Sequence, residues 1–123
     1  MPKIKKPKPT PAFLVEVLIN KTVGNSYKIT PVTVSDFTEI HKHLGIEGGT
    51  FTLVRLNTYG DVMYVDDEGA LKENTMMFLN GNYPVYGKGL VMGSTRDGSD
   101  KAPHMTMDEV SKMVSLTPDN SRN

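Results

Sequence analysis

Hydrophobic residues recur along this chain with two different periods, and the switches between them mark out the expected elements. Phe13-Leu14-Val15-Glu16-Val17-Leu18-Ile19 is a nearly continuous β-rich run, the pattern of a strand buried on at least one face and placed inside a sheet. Gly24-Asn25 marks a turn, and Tyr27 to Val34 reads as a second strand. Pro31 within it removes a ladder donor, so this strand is expected to lie at an edge or to end early. The period then lengthens. Phe37, Ile40, His41 and Leu44 fall at i, i+3, i+4 and i+7 behind Ser35 as N-cap, with Asp36 and Glu39 near the positive end and Gly45 as the stop. That spacing predicts an amphipathic helix.

From Thr50 the period returns to two, with Phe51 and Leu53 on one side and Thr52 and Val54 on the other. The turn Asn57-Thr58-Tyr59-Gly60-Asp61 leads into Val62-Met63-Tyr64-Val65, which predicts a β-hairpin. Asp66-Asp67-Glu68-Gly69 makes the next turn. The segment Asn74 to Leu79 fits either one helical turn or an irregular packed loop, and Asn80-Gly81-Asn82-Tyr83-Pro84 reads as loop. Val85 to Met92 reads as a final strand whose Gly87, Gly89 and neighbouring Gly93 suggest a bulge or a close backbone approach. A polar loop, Thr95 to Pro103, precedes a second helix opened by Thr106 and Glu109 at capping-box spacing, with Met107, Val110, Met113 and Val114 as its apolar stripe.

The expected fold is therefore α+β: a mostly antiparallel sheet of four to six strands, one helix after the second strand and one C-terminal helix. Residues 1–11 interleave four lysines with four prolines and are expected to form a disordered tail, as is the polar segment 117–123. Residues 12–116 are expected to be a single domain.

Charge and composition narrow the partners. The chain has fourteen cationic and fourteen acidic residues, but Lys3, Lys5, Lys6 and Lys8 lie in the tail, so the remainder carries ten against fourteen. An acidic body is a poor match for nucleic acid, whose phosphates reward clustered cations, and only the tail lysines are candidates for that role. No apolar run is long enough to span a bilayer, and cysteine is absent, which points to a cytoplasmic chain without disulfides.

Four features in order resemble a small family of bacteria and their phages catalogued only as a domain of unknown function. They are the capped helix ending in Gly45, the strand after Gly48-Gly49 with Phe51 and Val54, the turn Asp66-Asp67-Glu68-Gly69 followed by Leu71 and Asn74, and the strand closing on Val91-Met92-Gly93. The resemblance implies a compact α+β fold and a phage origin, with action in the host cytoplasm. It transfers no catalytic residue.

Sites for chemistry are scarce. His41 and His43 are two apart on a helix and point in opposed directions, so they do not share a metal ion. Asp66, Asp67 and Glu68 lack the spacing of a calcium loop. Gly87-Lys88-Gly89 lacks the frame of a phosphate loop, and no serine sits in a nucleophile elbow. His104 is a lone loop histidine. Expected, then, is a protein without catalytic residues, metal or cofactor that binds an unknown protein partner or itself. The alternatives are a binder of a small nucleotide-like ligand and a nucleic-acid accessory using the lysine tail. The candidate binding residues are Asn57, Tyr59, Asn74, Asn82, Tyr83, Tyr86 and Lys88, because loop tyrosine and asparagine combine flat apolar area with hydrogen bonds. Among the methionines, Met76 and Met113 are expected in the core and Met105 at an exposed contact.

Overall fold

The structure, a computed structural model, describes residues 9–19, 22–47, 49–72, 76–81, 83–95 and 100–116, apart from the Phe37 side chain. Most of both expected tails, Gly48, Asn74 and Asn82 lie outside the described residues. The fold is α+β and mostly antiparallel, with nine strands and two α-helices among the described residues. In chain order these are β1 (Thr10–Leu18), β2 (Ser26–Val34), α1 (Phe37–Leu44), β3 (Phe51–Arg55), β4 (Asp61–Asp66), β5 (Met76–Leu79), β6 (Tyr83–Tyr86), β7 (Gly89–Ser94), β8 (Asp100–Lys101), α2 (Met107–Met113) and β9 (Val114–Ser115). A 3₁₀ turn, Gly69–Lys72, follows β4.

The strands form two sheets. The larger runs β2-β1-β7-β4-β3 with β8 added to β7, and the smaller runs β6-β5-β9. β1 is interior, as its pattern predicts, and of the two outcomes Pro31 allowed, β2 takes the edge and continues to Val34. β1 starts at Thr10, two residues before the expected boundary, because Thr10 and Pro11 pair with Val34 and Thr33.

Alternation along the strands builds three layers. Ala12, Leu14, Val62, Tyr64, Leu90 and Met92 point to one face of the larger sheet, where Ile40 and Leu44 of α1 close over them. Val15, Met63 and Val91 point to the other face, against Met77, Leu79 and Val85 of the smaller sheet and Val110 and Met113 of α2. Each fully buried aliphatic or methionine side chain contributes about 1.5–3 kcal/mol. The large sheet is therefore held from both sides.

Several local expectations change. Asp36, not Ser35, caps α1: its carboxylate accepts from the Glu39 backbone N–H at 3.2 Å, while Ser35 N–H donates to the Glu39 side chain. The segment read as a helical turn or packed loop is strand β5, and Tyr83-Pro84, read as loop, belongs to β6. Four apolar residues in succession carry no period of their own, and the turn that pairs them depends on positive φ at Asn80 and Gly81. The expected strand Val85 to Met92 is two strands in different sheets, parted at Gly87-Lys88. The close approach expected of its glycines is real, since a Cβ on Gly89 would collide with the Met63 thioether. Part of the expected Thr95 to Pro103 loop forms β8.

Strand alternation also corrects the methionines: Met77 is fully buried and Met76 is exposed, while Met113 is buried and Met105 is partly buried against the same core. Met107, placed in the apolar stripe of α2, is exposed, and Val114 of that stripe lies in β9. The α2 capping box forms as expected, Glu109 N–H donating to Thr106 Oγ1 at 3.2 Å and Thr106 N–H to Glu109 Oε1 at 3.0 Å.

Tyr64, in the α1 face, donates to the Asp100 carboxylate at 2.7 Å. Burial first, then the hydrogen bond and charge of Asp100, hold its phenol well above the ordinary range. The unfolded chain releases this proton near pH 10, about its reference value, whereas the folded chain keeps it. The stabilisation is therefore complete below about pH 10 and is lost as pH rises beyond it. Unfolding followed across alkaline pH should show a shallower decline in Tyr64→Phe than in the parent, and identical slopes would contradict this assignment.

Candidate functional site

The structure draws the turn between β3 and β4, the loop before α2 and the β5–β6 turn to one end of the molecule. An open groove of about 500 Å³ lies among them, lined by Leu56, Asn57, Tyr59, Asn80, His104, Met105 and residues of α2. The loops are assembled around one side chain. Asp61, the first residue of β4, shares the face of Met63 and points inward, fully buried.

A buried carboxylate is costly unless its oxygens are satisfied. Here Oδ1 accepts the His104 backbone N–H at 2.7 Å, and Oδ2 accepts the Met105 backbone N–H at 2.8 Å and the Asn57 amide at 3.0 Å. Asn57 completes the arrangement: its Oδ1 accepts from Tyr59 N–H at 2.9 Å and Asp61 N–H at 3.1 Å. One carboxylate thus ties the β3–β4 turn to the entry of α2.

The consequence appears at the surface. The Tyr59 and His104 rings stack 4.2 Å apart and 9° from parallel, and Tyr59 is 63 % exposed. Such a pair offers a rigid flat face beside the apolar Leu56 and Met105, with Glu109 and Lys112 of α2 also lining the groove.

The candidate residues read from the sequence divide. Asn57 and Tyr59 belong to this groove, Asn57 as a builder of the turn rather than an open contact. Tyr83, half exposed on β6, lines a neighbouring groove that shares Leu56 and Asn80. Tyr86 stands at the other end of β6, and Lys88, between β6 and β7, has its ammonium 3.6 Å from Glu16. Asn74, Asn82, Lys3, Lys5, Lys6 and Lys8 lie outside the described residues.

Sequence reading missed Asp61 and His104 as members. Asp61 had a legible signal, since period two in Asp61-Val62-Met63-Tyr64 puts a carboxylate on a core face. His104 had none, because its neighbour Tyr59 comes from a remote turn.

Several other titratable groups are engaged elsewhere. His41 Nε2 lies 3.1 Å from the Gly49 carbonyl, with its ring 4.9 Å from Phe51. His43 is partly covered, and its Nε2 lies 3.1 Å from the Thr33 carbonyl. Lys72 meets Asp66 at 2.9 Å, and the Thr50 and Thr52 hydroxyls donate to Asp67. Among the described residues, no helix is long and apolar enough to cross a membrane. No family model matches the chain, and no curated protein or solved structure is significantly similar to it.

Proposed function

We propose that this chain is a small, non-catalytic, cytoplasmic binding protein that takes a segment of a protein partner into the groove beside the Tyr59–His104 stack. The observation that carries this reading is the commitment of a fully buried carboxylate, Asp61, to hold the turn and the loop from which that exposed stack projects. A surface fixed before the partner arrives loses little conformational freedom on binding, and rigid aromatic anchors concentrate affinity. The partner chemistry follows from the lining: a planar side chain, aromatic or guanidinium, on the ring faces, and an aliphatic neighbour on Leu56 and Met105. A phage origin, expected from the sequence, would make that partner a host protein.

Selection of a displayed peptide library on the immobilised full chain tests this. Enriched peptides should lose at least about tenfold in affinity for Tyr59→Ala, the scale of an aromatic hot spot, with the far-ultraviolet spectrum unchanged. Peptides that bind Tyr59→Ala and His104→Ala as well as the parent would remove the groove from consideration.

A second reading, a planar nucleotide-like ligand, is favoured by the near-parallel rings, on which a heterocycle can extend the stack. Lys88, a candidate for that ligand in the sequence, does not line this groove. Calorimetric titration with nucleosides and nucleotides separates the two, and heat that vanishes in Tyr59→Ala would favour the ligand.

A further inference from the structure

Every sheet edge exposes a row of backbone donors and acceptors to which another strand can add, and folded chains blunt such edges. β2 carries Pro31 and β6 carries Pro84, each lacking a donor. β8 and β9 are only two residues long. β3 uses neither device. Among the described residues, Phe51-Thr52-Leu53-Val54-Arg55 pairs with β4 alone, and the strand has no proline, glycine or lysine in its five residues.

Among the described residues, the space beside it is partly open. A groove of about 460 Å³ borders β3 among the described residues, walled by the consecutive residues Leu53, Val54, Arg55 and Leu56 and by Leu79, Asn80 and Tyr83 of the β5–β6 hairpin. Consecutive strand residues face opposite sides of a sheet, so a wall containing all four lies along the backbone edge. Leu53 is 48 % exposed and Tyr83 50 %. On the face of Leu53, α1 packs over β2, β4 and β7 and reaches the first residue of β3, where the His41 ring meets Phe51, while Leu53 stays exposed.

We propose that β3 is a homodimer interface, pairing antiparallel with β3 of a second copy about a two-fold axis at Leu53, so that the two larger sheets become one. The occupant is a second copy because the strand complements itself. In this register Leu53 meets the partner's Leu53, Thr52 lies beside the partner's Val54, and Phe51 lies beside the partner's Arg55. These are an apolar pair, a β-branched pair and a cation–aromatic pair, each favourable across strands. The single charge of the strand is carried away from its symmetry mate, whereas an in-register parallel partner would set Arg55 against Arg55. Asp66 is the β4 neighbour of Phe51 and opens the acidic turn Asp66-Asp67-Glu68, so the cationic end of each strand approaches the acidic end of the other. This inference is independent of the binding groove beside Tyr59.

The chain lacks cysteine, so Leu53→Cys places one thiol at the proposed axis. Facing residues of antiparallel strands have Cα atoms about 4.5–5.5 Å apart, inside the range of a disulfide. Under mild oxidation the full-length Leu53→Cys chain should form a covalent dimer at least about tenfold faster than Ser26→Cys on the β2 edge, because pairing raises the local thiol concentration. In sedimentation, the parent should be a dimer, and Leu53→Lys, which sets two ammonium groups opposite each other, should weaken the dimer at least about tenfold. Leu53 is half exposed, and an unchanged far-ultraviolet spectrum verifies that this variant folds. A parent that sediments as a monomer, a dimer indifferent to Leu53→Lys, or equal cross-linking at both positions overturns the proposal, whatever else the β3 edge then accepts.

Discussion

Asp61→Ala should destabilise the chain by about 3–5 kcal/mol, the range for removing one partner of a buried charge-assisted hydrogen-bond network. The reason lies in what remains: the His104 and Met105 backbone N–H groups and the Asn57 amide lose the acceptor they share. Asp61→Asn keeps the shape but turns one oxygen into a donor facing donors, and should cost about 2 kcal/mol. Denaturant midpoints at unchanged slope measure both effects. The same variants should separate Tyr59 from His104, read as loss of mutual ring-current shifts in nuclear magnetic resonance spectra. A loss below about 1 kcal/mol for the alanine variant, the net contribution of one ordinary hydrogen bond, would show that Asp61 does not organise this end of the molecule.

The second large effect is expected at Gly60, where backbone conformation and crowding act together. Its φ of 97° is one that side-chain-bearing residues rarely adopt, and a Cβ there would lie 2.6 Å from the Ser94 carbonyl oxygen. Neither neighbour can yield easily, because Ser94 N–H donates to the Gly60 carbonyl at 2.8 Å and fixes the turn against β7. Gly60→Ala should cost about 2–4 kcal/mol, combining backbone strain with overpacking. Gly24→Ala is the control: Gly24 has a similar φ of 92° with nothing within 4 Å of the added carbon. It should cost only the backbone part, about 1–2 kcal/mol. Equal losses at the two positions would mean that contact with Ser94 contributes nothing.

The two variants also separate the ways in which this end of the molecule is built. Asp61 acts by accepting hydrogen bonds from two remote segments, whereas Gly60 acts by letting two backbones approach. Only the first was open to detection in the sequence. A carboxylate on the apolar phase of a strand is a visible anomaly, but a glycine in a turn looks the same whether or not another strand passes beside it.

By itself the sequence determined the elements whose causes lie within a few residues: the caps of α2 at Thr106 and Glu109, the stop of α1 at Gly45, and the β3–β4 hairpin around Asn57–Gly60. Tertiary structure alone decided that Met76–Leu79 is a strand, that the glycine-rich stretch from Gly87 changes sheets, and that Tyr59 meets His104. The physical reason is one of range. Caps, turns and periodicity act between neighbours in the chain, while the pairing of short apolar runs and the stacking of distant loops depend on which buried faces the whole fold brings together.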